Sequence, residues 1–194
     1  MTNQNTPDNF QSAADGFVPS PTEQQEPATI QVPDDKPVSE LTYQERLEKL
    51  EISEETATQV IDDMCDNGSY IKKVVVRKER NGKKEINAAL ITRDTRSQGF
   101  ITAHVSSNHK DNPVVYNKLL GELQLAASLI HYKDKTYPLL SDIENQEDFE
   151  KALFERVNDL SKLPAPVTVK LSRELSEFDL TVAAVMSPGY EGFF

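Results

Sequence analysis

The most regular pattern of apolar residues in this chain lies between Phe149 and Met186. It predicts two amphipathic helices joined at residues 163–166, which read Leu-Pro-Ala-Pro. In each half the apolar residues recur every three or four positions, which places them on one face of a helix. The break between the halves favours an antiparallel return and therefore a C-terminal helical hairpin. The stripe of the second helix contains Val167, Leu171, Leu175, Phe178 and Val182.

This stripe has two possible uses. It can be the core of the chain's own domain, which is the favoured interpretation, or part of it can bind an amphipathic helix of a partner. The chain end offers a second apolar feature, because three aromatic residues there suggest a hook onto a neighbour or a segment that docks back onto its own domain. The candidate partner-binding residues are therefore the five stripe residues together with Tyr190, Phe193 and Phe194.

A different periodicity marks residues 70–92. Two runs rich in Val and Ile flank Asn81-Gly82, a dipeptide typical of two-residue β-hairpin turns, because a type I′ turn needs positive φ at both central residues. We expect one face of this hairpin to point to the core through Val74, Val76, Ile86, Ala88 and Leu90.

The remaining segments predict mostly helices. Two short helices begin after Thr42 and Ser53, and a longer helix begins at Asn112-Pro113. Residues 94–107 fit either a helix or a third strand, and a helix is favoured. Residues 131–138 fit a tight turn flanked by short extended pieces. The fold class is therefore α+β, as a mostly α-helical domain over residues 39–187 with an N-terminal-side β-hairpin.

Both chain ends differ in composition from this domain. Residues 1–38 hold six of the eleven prolines, six acidic residues and one basic residue. So few apolar groups cannot offset the ordering of the chain, which costs roughly 1–2 kcal/mol per residue. We predict a disordered, proline-rich acidic tail over residues 1–38 and a flexible aromatic tail over residues 188–194.

Charge is distributed unevenly along the chain. The formal net charge is −11, yet nine basic residues and three acidic ones lie between positions 70 and 96. The favoured interpretation is a solvated face whose lysines protect an edge strand. The alternatives are a docking site for an acidic partner, for the chain's own acidic tail or for nucleic-acid phosphates. The basic patch consists of Lys72, Lys73, Arg77, Lys78, Arg80, Lys83 and Lys84.

No motif for catalysis is recognisable, so we expect no enzyme activity and no cofactor. The three histidines lack metal-ligand spacing, and no glycine-rich phosphate loop occurs. The single cysteine, Cys65, cannot form an intrachain disulfide, and we expect it to be a small buried apolar residue. Neither a signal peptide nor a membrane span is predicted, which favours a cytosolic protein.

From Val74 onward the order of elements resembles the small tail-assembly and baseplate-hub assembly proteins of tailed bacteriophages. The matching features are the strand pair between residues 74 and 91, the helix through Leu119-Leu120-Gly121-Glu122-Leu123, and the turn at Ile130–Lys135. The helix that begins at Phe149-Glu150-Lys151 and a closing helix that ends in aromatic residues complete the match.

The resemblance implies a non-enzymatic assembly protein, either a chaperone or a hub-assembly factor, that acts by protein–protein binding. Its partners would be other tail or baseplate proteins, such as the tape-measure protein, in the host cytoplasm or in the virion. Two alternatives stay open. One is a permanent virion component whose termini connect neighbouring subunits, and the other is a nucleic-acid adaptor that uses the basic hairpin, although the acidic net charge argues against nucleic acid.

Overall fold

The computed structural model describes residues 41–109 and 111–187. In this part of the chain the elements follow one another as α1 (Tyr43–Lys49), α2 (Glu54–Asn67), β1 (Ile71–Arg77), β2 (Ile86–Ile91), α3 (Thr95–His109), α4 (Pro113–Ser128), β3 (Leu129–Tyr132), β4 (Lys135–Thr136), a 3-10 turn (Leu140–Asp142), α5 (Gln146–Ser161) and α6 (Ala165–Met186). The architecture is the mostly helical α+β fold that the sequence predicts. The tails predicted for residues 1–38 and 188–194 lie outside the described residues.

The helices begin where local capping chemistry allows. The Thr42 hydroxyl accepts a hydrogen bond from the Glu45 N–H, and the Glu45 carboxylate accepts one from the Thr42 N–H, which completes a capping box. The Ser53 hydroxyl caps α2 at 3.1 Å from the Thr56 nitrogen, and the Asn112 amide oxygen caps α4 at 3.2 Å from the Val115 nitrogen. Such caps satisfy N–H groups that have no partner inside the helix, so these boundaries are readable from the sequence.

Residues 94–107 fall in helix α3, the favoured of the two predicted structures. The Asp94 carboxylate accepts a hydrogen bond from the Ser97 N–H at 2.6 Å, and Ile101 and Val105 are buried. These two apolar residues are four positions apart, a spacing that places both on one face of a helix and equally on one face of a strand. The choice was therefore made by packing against α4 rather than by periodicity.

The predicted β-hairpin is part of a larger sheet. Asn81 and Gly82 have φ of 53° and 70°, as a type I′ turn requires, and Arg80 faces Lys83 across it. Four antiparallel strands follow in the order β1-β2-β3-β4, so the extended pieces predicted around residues 131–138 add to the hairpin as strands. Val74, Ala88 and Leu90 are buried as predicted, while Val76 and Ile86 are partly buried.

Helices α5 and α6 are joined by the short connection that the sequence predicts, but each packs mainly on other elements. The main contacts of α5 are with α4, and those of α6 are with α1, α2, α4 and β1. The two predicted stripes therefore face a shared core instead of closing on each other. A groove remains open where the end of α5 meets the start of α6.

Arg156 on α5 is the largest fully buried side chain, with an exposed fraction of 1%. Its guanidinium donates to backbone carbonyls at the C-terminal end of α4, at the start of β3 and in the segment after β4. The acceptors are the carbonyl oxygens of Ala126, Ala127, Leu129 and Pro138. The last carbonyls of a helix have no partner inside the helix, so Arg156 acts as an internal cap for α4.

One expectation about burial is wrong. Cys65 is exposed on α2, not buried. The buried residues of this helix are Ala57 and Val60, and Cys65 follows Val60 by five positions, which turns it well away from their face.

Candidate protein-binding surfaces

Three residues of the predicted binding stripe belong to the domain's own core. Leu171, Leu175 and Phe178 are buried, and the Phe178 ring stacks on Tyr70 with centroids 5.6 Å apart. The physical reason is that β1, α1 and α2 all pack on this side of α6. These three side chains are therefore not available to a partner in this structure, which agrees with the core interpretation that the sequence left open.

The other predicted residues divide into two groups. Val167 and Val182 are only partly buried against the core. Val182 also lines an open cavity of about 490 Å³ at the C-terminal end of α6, together with Met64 and Met186. Tyr190, Phe193 and Phe194 lie outside the described residues.

The exposed apolar residues of α6 are ones that the stripe does not contain. Val169 is 68% exposed and Leu180 is 48% exposed. Both are apolar residues on the polar face of an amphipathic helix. This departure from the expected pattern is the signal in the sequence from which their exposure could have been predicted. Apolar residues at polar-face positions indicate either a tolerated exception or a contact that the isolated domain does not make.

Val169 lies on the rim of a groove of about 430 Å³ between three helices, which we call the α4–α6 groove. Its floor is apolar and includes Leu125, Val157 and Leu160, while three hydroxyl side chains lie along the α5 and α6 walls. The lining residues are Lys118, Glu122, Leu125, Val157, Leu160, Ser161, Leu163, Ala165, Thr168, Val169 and Ser172. The groove occupies the space left open where α5 and α6 meet.

The α4 wall of this groove is also unusual. Val114, which precedes Lys118 by one helical turn, is 79% exposed. Gly121 lies between Lys118 and Leu125 on the same helical face, and a Cβ added there would meet no other atom within 4 Å. A glycine in the middle of a helix costs about 1 kcal/mol relative to alanine. Packing inside the domain gives no reason for its small size.

The basic patch is largely exposed, as the sequence predicts for a solvated face. Lys72 differs from the rest, since its ammonium pairs with the Glu174 carboxylate of α6 at 3.1 Å. The Arg77 guanidinium donates to the Lys84 carbonyl at 2.8 Å across the hairpin. The exposed members are Lys73, Arg77, Lys78, Arg80, Lys83 and Lys84.

Two of the titratable side chains, Tyr70 and His104, pack against aromatic rings. Burial, followed by the nearby Asp63 carboxylate, raises the pKa of Tyr70, and that ring is stacked in the core. His104 packs on Phe100 and Phe154, with ring centroids 5.6 and 5.4 Å away. Among residues 41–109 and 111–187, no group of three or more His, Cys, Asp and Glu residues is placed to hold a metal ion.

Comparisons with known proteins name no family. No protein-family model, curated protein or solved structure matches this chain. Within the described part of the chain, no helix combines the length and the apolar character needed to cross a bilayer. The surfaces described above are therefore the basis for a proposal of function.

Proposed function

We propose that this chain is a non-enzymatic assembly protein of tailed bacteriophages that binds an amphipathic helix of another tail protein in the α4–α6 groove. The resemblance in the order of elements motivates the phage assignment, with the tape-measure protein as the expected partner. The groove supplies a place for the contact. A permanent virion component remains the alternative, and the experiment below separates the two.

The observation that carries this proposal is the combination of an apolar floor with an exposed apolar rim. Leu125 and Leu160 are buried below the groove, while Val169 at its edge is mostly exposed to solvent. Apolar surface exposed at such a place is stabilised when a partner removes it from water, by about 25 cal/mol per Å². An amphipathic helix fits this shape because its apolar residues, three or four apart, form a ridge that a groove between helices accepts.

The polar groups around the groove favour the same kind of partner. Lys118 and Glu122 lie 3.8 Å apart on the α4 wall, and Ser161, Thr168 and Ser172 lie on the opposite side. A polar rim of mixed charge around an apolar centre is typical of protein–protein contacts. The small Gly121 would allow a partner helix to approach the backbone of α4 closely.

The proposal is tested by co-expression with the tail proteins of the same phage, followed by a pull-down and mass spectrometry. We expect Val169→Asp to reduce capture of the partner by about tenfold or more, because it places a charge on the apolar rim. Leu180→Asp is the matched control, since Leu180 is an exposed apolar residue of the same helix that does not line the groove. Equal losses for both variants, or none for Val169→Asp, would exclude the groove.

A second variant adds bulk on the α4 face beside the groove. In Gly121→Met the added Cβ meets open space, so we expect an unchanged or more stable fold with weaker binding. Mass spectrometry of purified particles then separates the two classes of phage protein. A chaperone is absent from mature virions and a permanent component is present. If neither particles nor assembly intermediates contain or require the chain, the phage assignment is wrong.

A further inference from the structure

We propose that the outer edge of β1 is a second binding site, which accepts an extended acidic segment of a partner protein as an added strand of the sheet. This site is separate from the α4–α6 groove, and the proposal does not depend on the phage assignment. It rests on the backbone direction of β1, on the side chains of its open face and on the charge of the β1–β2 hairpin.

The pairing of β1 with β2 determines which backbone groups point outward. The Tyr70 carbonyl accepts a hydrogen bond from the Thr92 N–H at 3.1 Å, so in this antiparallel ladder the residues at 70, 72 and 74 bond to β2. The backbone groups of Ile71, Lys73 and Val75 then point to the opposite side. The opposite strand agrees, because Asn87, which faces Val75, directs its carbonyl to the Lys133 N–H on the β3 side.

Among residues 41–109 and 111–187, helix α6 contacts one end of this edge. The Lys170 ammonium of α6 donates to the Val75 carbonyl at 2.7 Å and to the Val76 carbonyl at 3.2 Å. Within residues 41–109 and 111–187, the outward N–H groups of Ile71, Lys73 and Val75 have no hydrogen-bond partner. β1 is also the first strand in the sheet order, so these groups form a row that can pair with another extended chain.

The side chains of the open sheet face define what that chain should look like. Ile71 and Val75 are 42% and 40% exposed, and the exposed cation Lys73 lies between them on the same face. Residues on neighbouring strands interact directly when they share a face, and opposite charges there are stabilising. The complementary strand therefore alternates apolar and acidic residues on this face.

The charge of the hairpin and the burial of its aromatic ring argue against two other occupants, a second copy of this chain and a nucleic acid. Two copies of this chain that paired edge to edge would bring two basic hairpins together, and like charges on paired strands are destabilising. Nucleic acid without base pairing is usually held by exposed aromatic rings as well as by cations. The one aromatic ring at this hairpin, Tyr70, is buried against Phe178. An acidic polypeptide carries the opposite charge and does not depend on an exposed aromatic ring, so it is the occupant that fits best.

The test uses the full chain and a short fluorescent peptide in which valine and glutamate alternate at every second position, with threonine between them, so that both lie on one face of the added strand. We expect binding that weakens as ionic strength rises, measured by fluorescence anisotropy. Hydrogen–deuterium exchange resolved by residue should show new protection at the amides of Ile71, Lys73 and Val75 when the peptide is bound. Binding without protection at these three amides, or no binding at low ionic strength, would overturn the proposal.

A pair of variants at one position separates the backbone from the charge. Lys73→Pro removes an outward N–H and leaves the ladder with β2 in place, since proline is tolerated where the N–H of an edge strand faces solvent. Lys73→Gln removes the same charge and retains the N–H. We expect about two- to threefold weaker binding for the glutamine variant, which loses the charge. The proline variant, which loses the charge and also roughly one hydrogen bond, should bind about tenfold more weakly than the parent. Equal affinities for the two variants would contradict strand addition.

Two further probes complete the test. A peptide of the same composition with its valines grouped should bind at least about tenfold more weakly, because its apolar and acidic residues no longer alternate on one face. A single-stranded DNA oligonucleotide of similar net charge should compete poorly with the alternating peptide. If the DNA binds more tightly, or if the grouped peptide binds equally well, the site is a general anion-binding surface and the proposal is wrong.

Discussion

Arg156 and the lysines of the β1–β2 hairpin carry the same charge in opposite surroundings. Arg156 is buried, and its guanidinium donates to four backbone carbonyls of its own domain. Lys83 and Lys84 are exposed at the tip of the hairpin, between β1 and β2. The comparison shows that a buried cation in this domain depends on backbone carbonyls that have no other hydrogen-bond donor. Arg156 lies where the end of a helix and the start of a strand leave carbonyls without partners, and the hairpin offers no such cluster.

Within residues 41–109 and 111–187, Arg156 has polar surroundings but no carboxylate in an ion pair with it. Burial lowers the pKa of its guanidinium to about 10, and the group stays charged at neutral pH. The Tyr137 ring lies 5.3 Å from its central carbon, and the C-terminal end of α4 adds the negative end of a helix dipole. Removing a buried guanidinium held this way is costly, because its carbonyl acceptors would then lack donors.

The strongest way to break the comparison is to delete the buried cation. We expect Arg156→Met to lower the free energy of unfolding by about 3 kcal/mol or more, because several buried carbonyls lose their donor at once. Arg173→Met is the matched control, since Arg173 is exposed on α6 and pairs with Glu177 one turn away; its loss should be several times smaller. Urea denaturation measures both. Similar losses would mean that burial does not separate the two roles.

An intermediate case sharpens the same comparison. The side chain of Arg93 is 10% exposed and donates to the Ser128 hydroxyl at 2.9 Å and to the Asp179 carboxylate at 2.7 Å. It connects the end of β2 with α4 and α6. Arg93→Met should therefore cost about 1–2 kcal/mol, between the buried and the exposed arginines. Asp179→Asn, which retains an acceptor for Arg93, should cost less in the same urea titration.

The cluster around Lys135 adds a pH dependence to the region near Arg156. The Lys135 ammonium, which lies 2.6 Å from Asp159, holds the pKa of that carboxyl below its ordinary value of 3.8, and the Tyr137 hydroxyl also donates to it. At a pH below 3.8 the Asp159 carboxyl of the unfolded chain takes up a proton that the folded chain binds less readily. This contribution to stability is therefore present above pH 3.8 and is lost as the pH falls through the lower pKa of the folded state.

Asp159→Asn should therefore cost about 1 kcal/mol at neutral pH and progressively less in acid. Thermal or urea unfolding across this range measures the effect. Glu177, whose pKa is lowered by Arg173, acts in the same direction, so the variant should reduce the acid dependence without abolishing it. A constant difference between variant and parent at all pH values would contradict the linkage.

The smallest effect on stability is expected at the hairpin tip. Lys84→Glu should change the free energy of unfolding by less than about 0.5 kcal/mol, since the side chain is exposed and only its carbonyl bonds to Arg77. The same variant should weaken binding of the alternating acidic peptide and reduce its dependence on salt. Calorimetry and anisotropy on one preparation measure the two quantities. A loss of stability comparable to that of Arg93→Met would show that the tip is structural.

Much of the fold is predictable because its causes lie within a few residues. The caps at Thr42, Ser53 and Asn112 and the Asn81-Gly82 turn all act through bonds or φ angles within one turn of chain. The candidate groove was not predictable in this way. Its rim residue Val169 departs from the stripe that the sequence emphasises, and its floor comes from helices that meet only after folding.

Taken alone, the sequence determined the types of element, most of their ends and the exposed basic character of the hairpin. Only the tertiary structure decided that β3 and β4 extend the hairpin into a sheet, that Phe178 is covered by Tyr70, and that Arg156 lies inside while Cys65 lies outside. The physical reason is that helix caps and tight turns depend on neighbours along the chain. Burial and strand pairing depend instead on which distant surfaces meet, and a periodic pattern indicates the existence of an apolar face without naming what covers it.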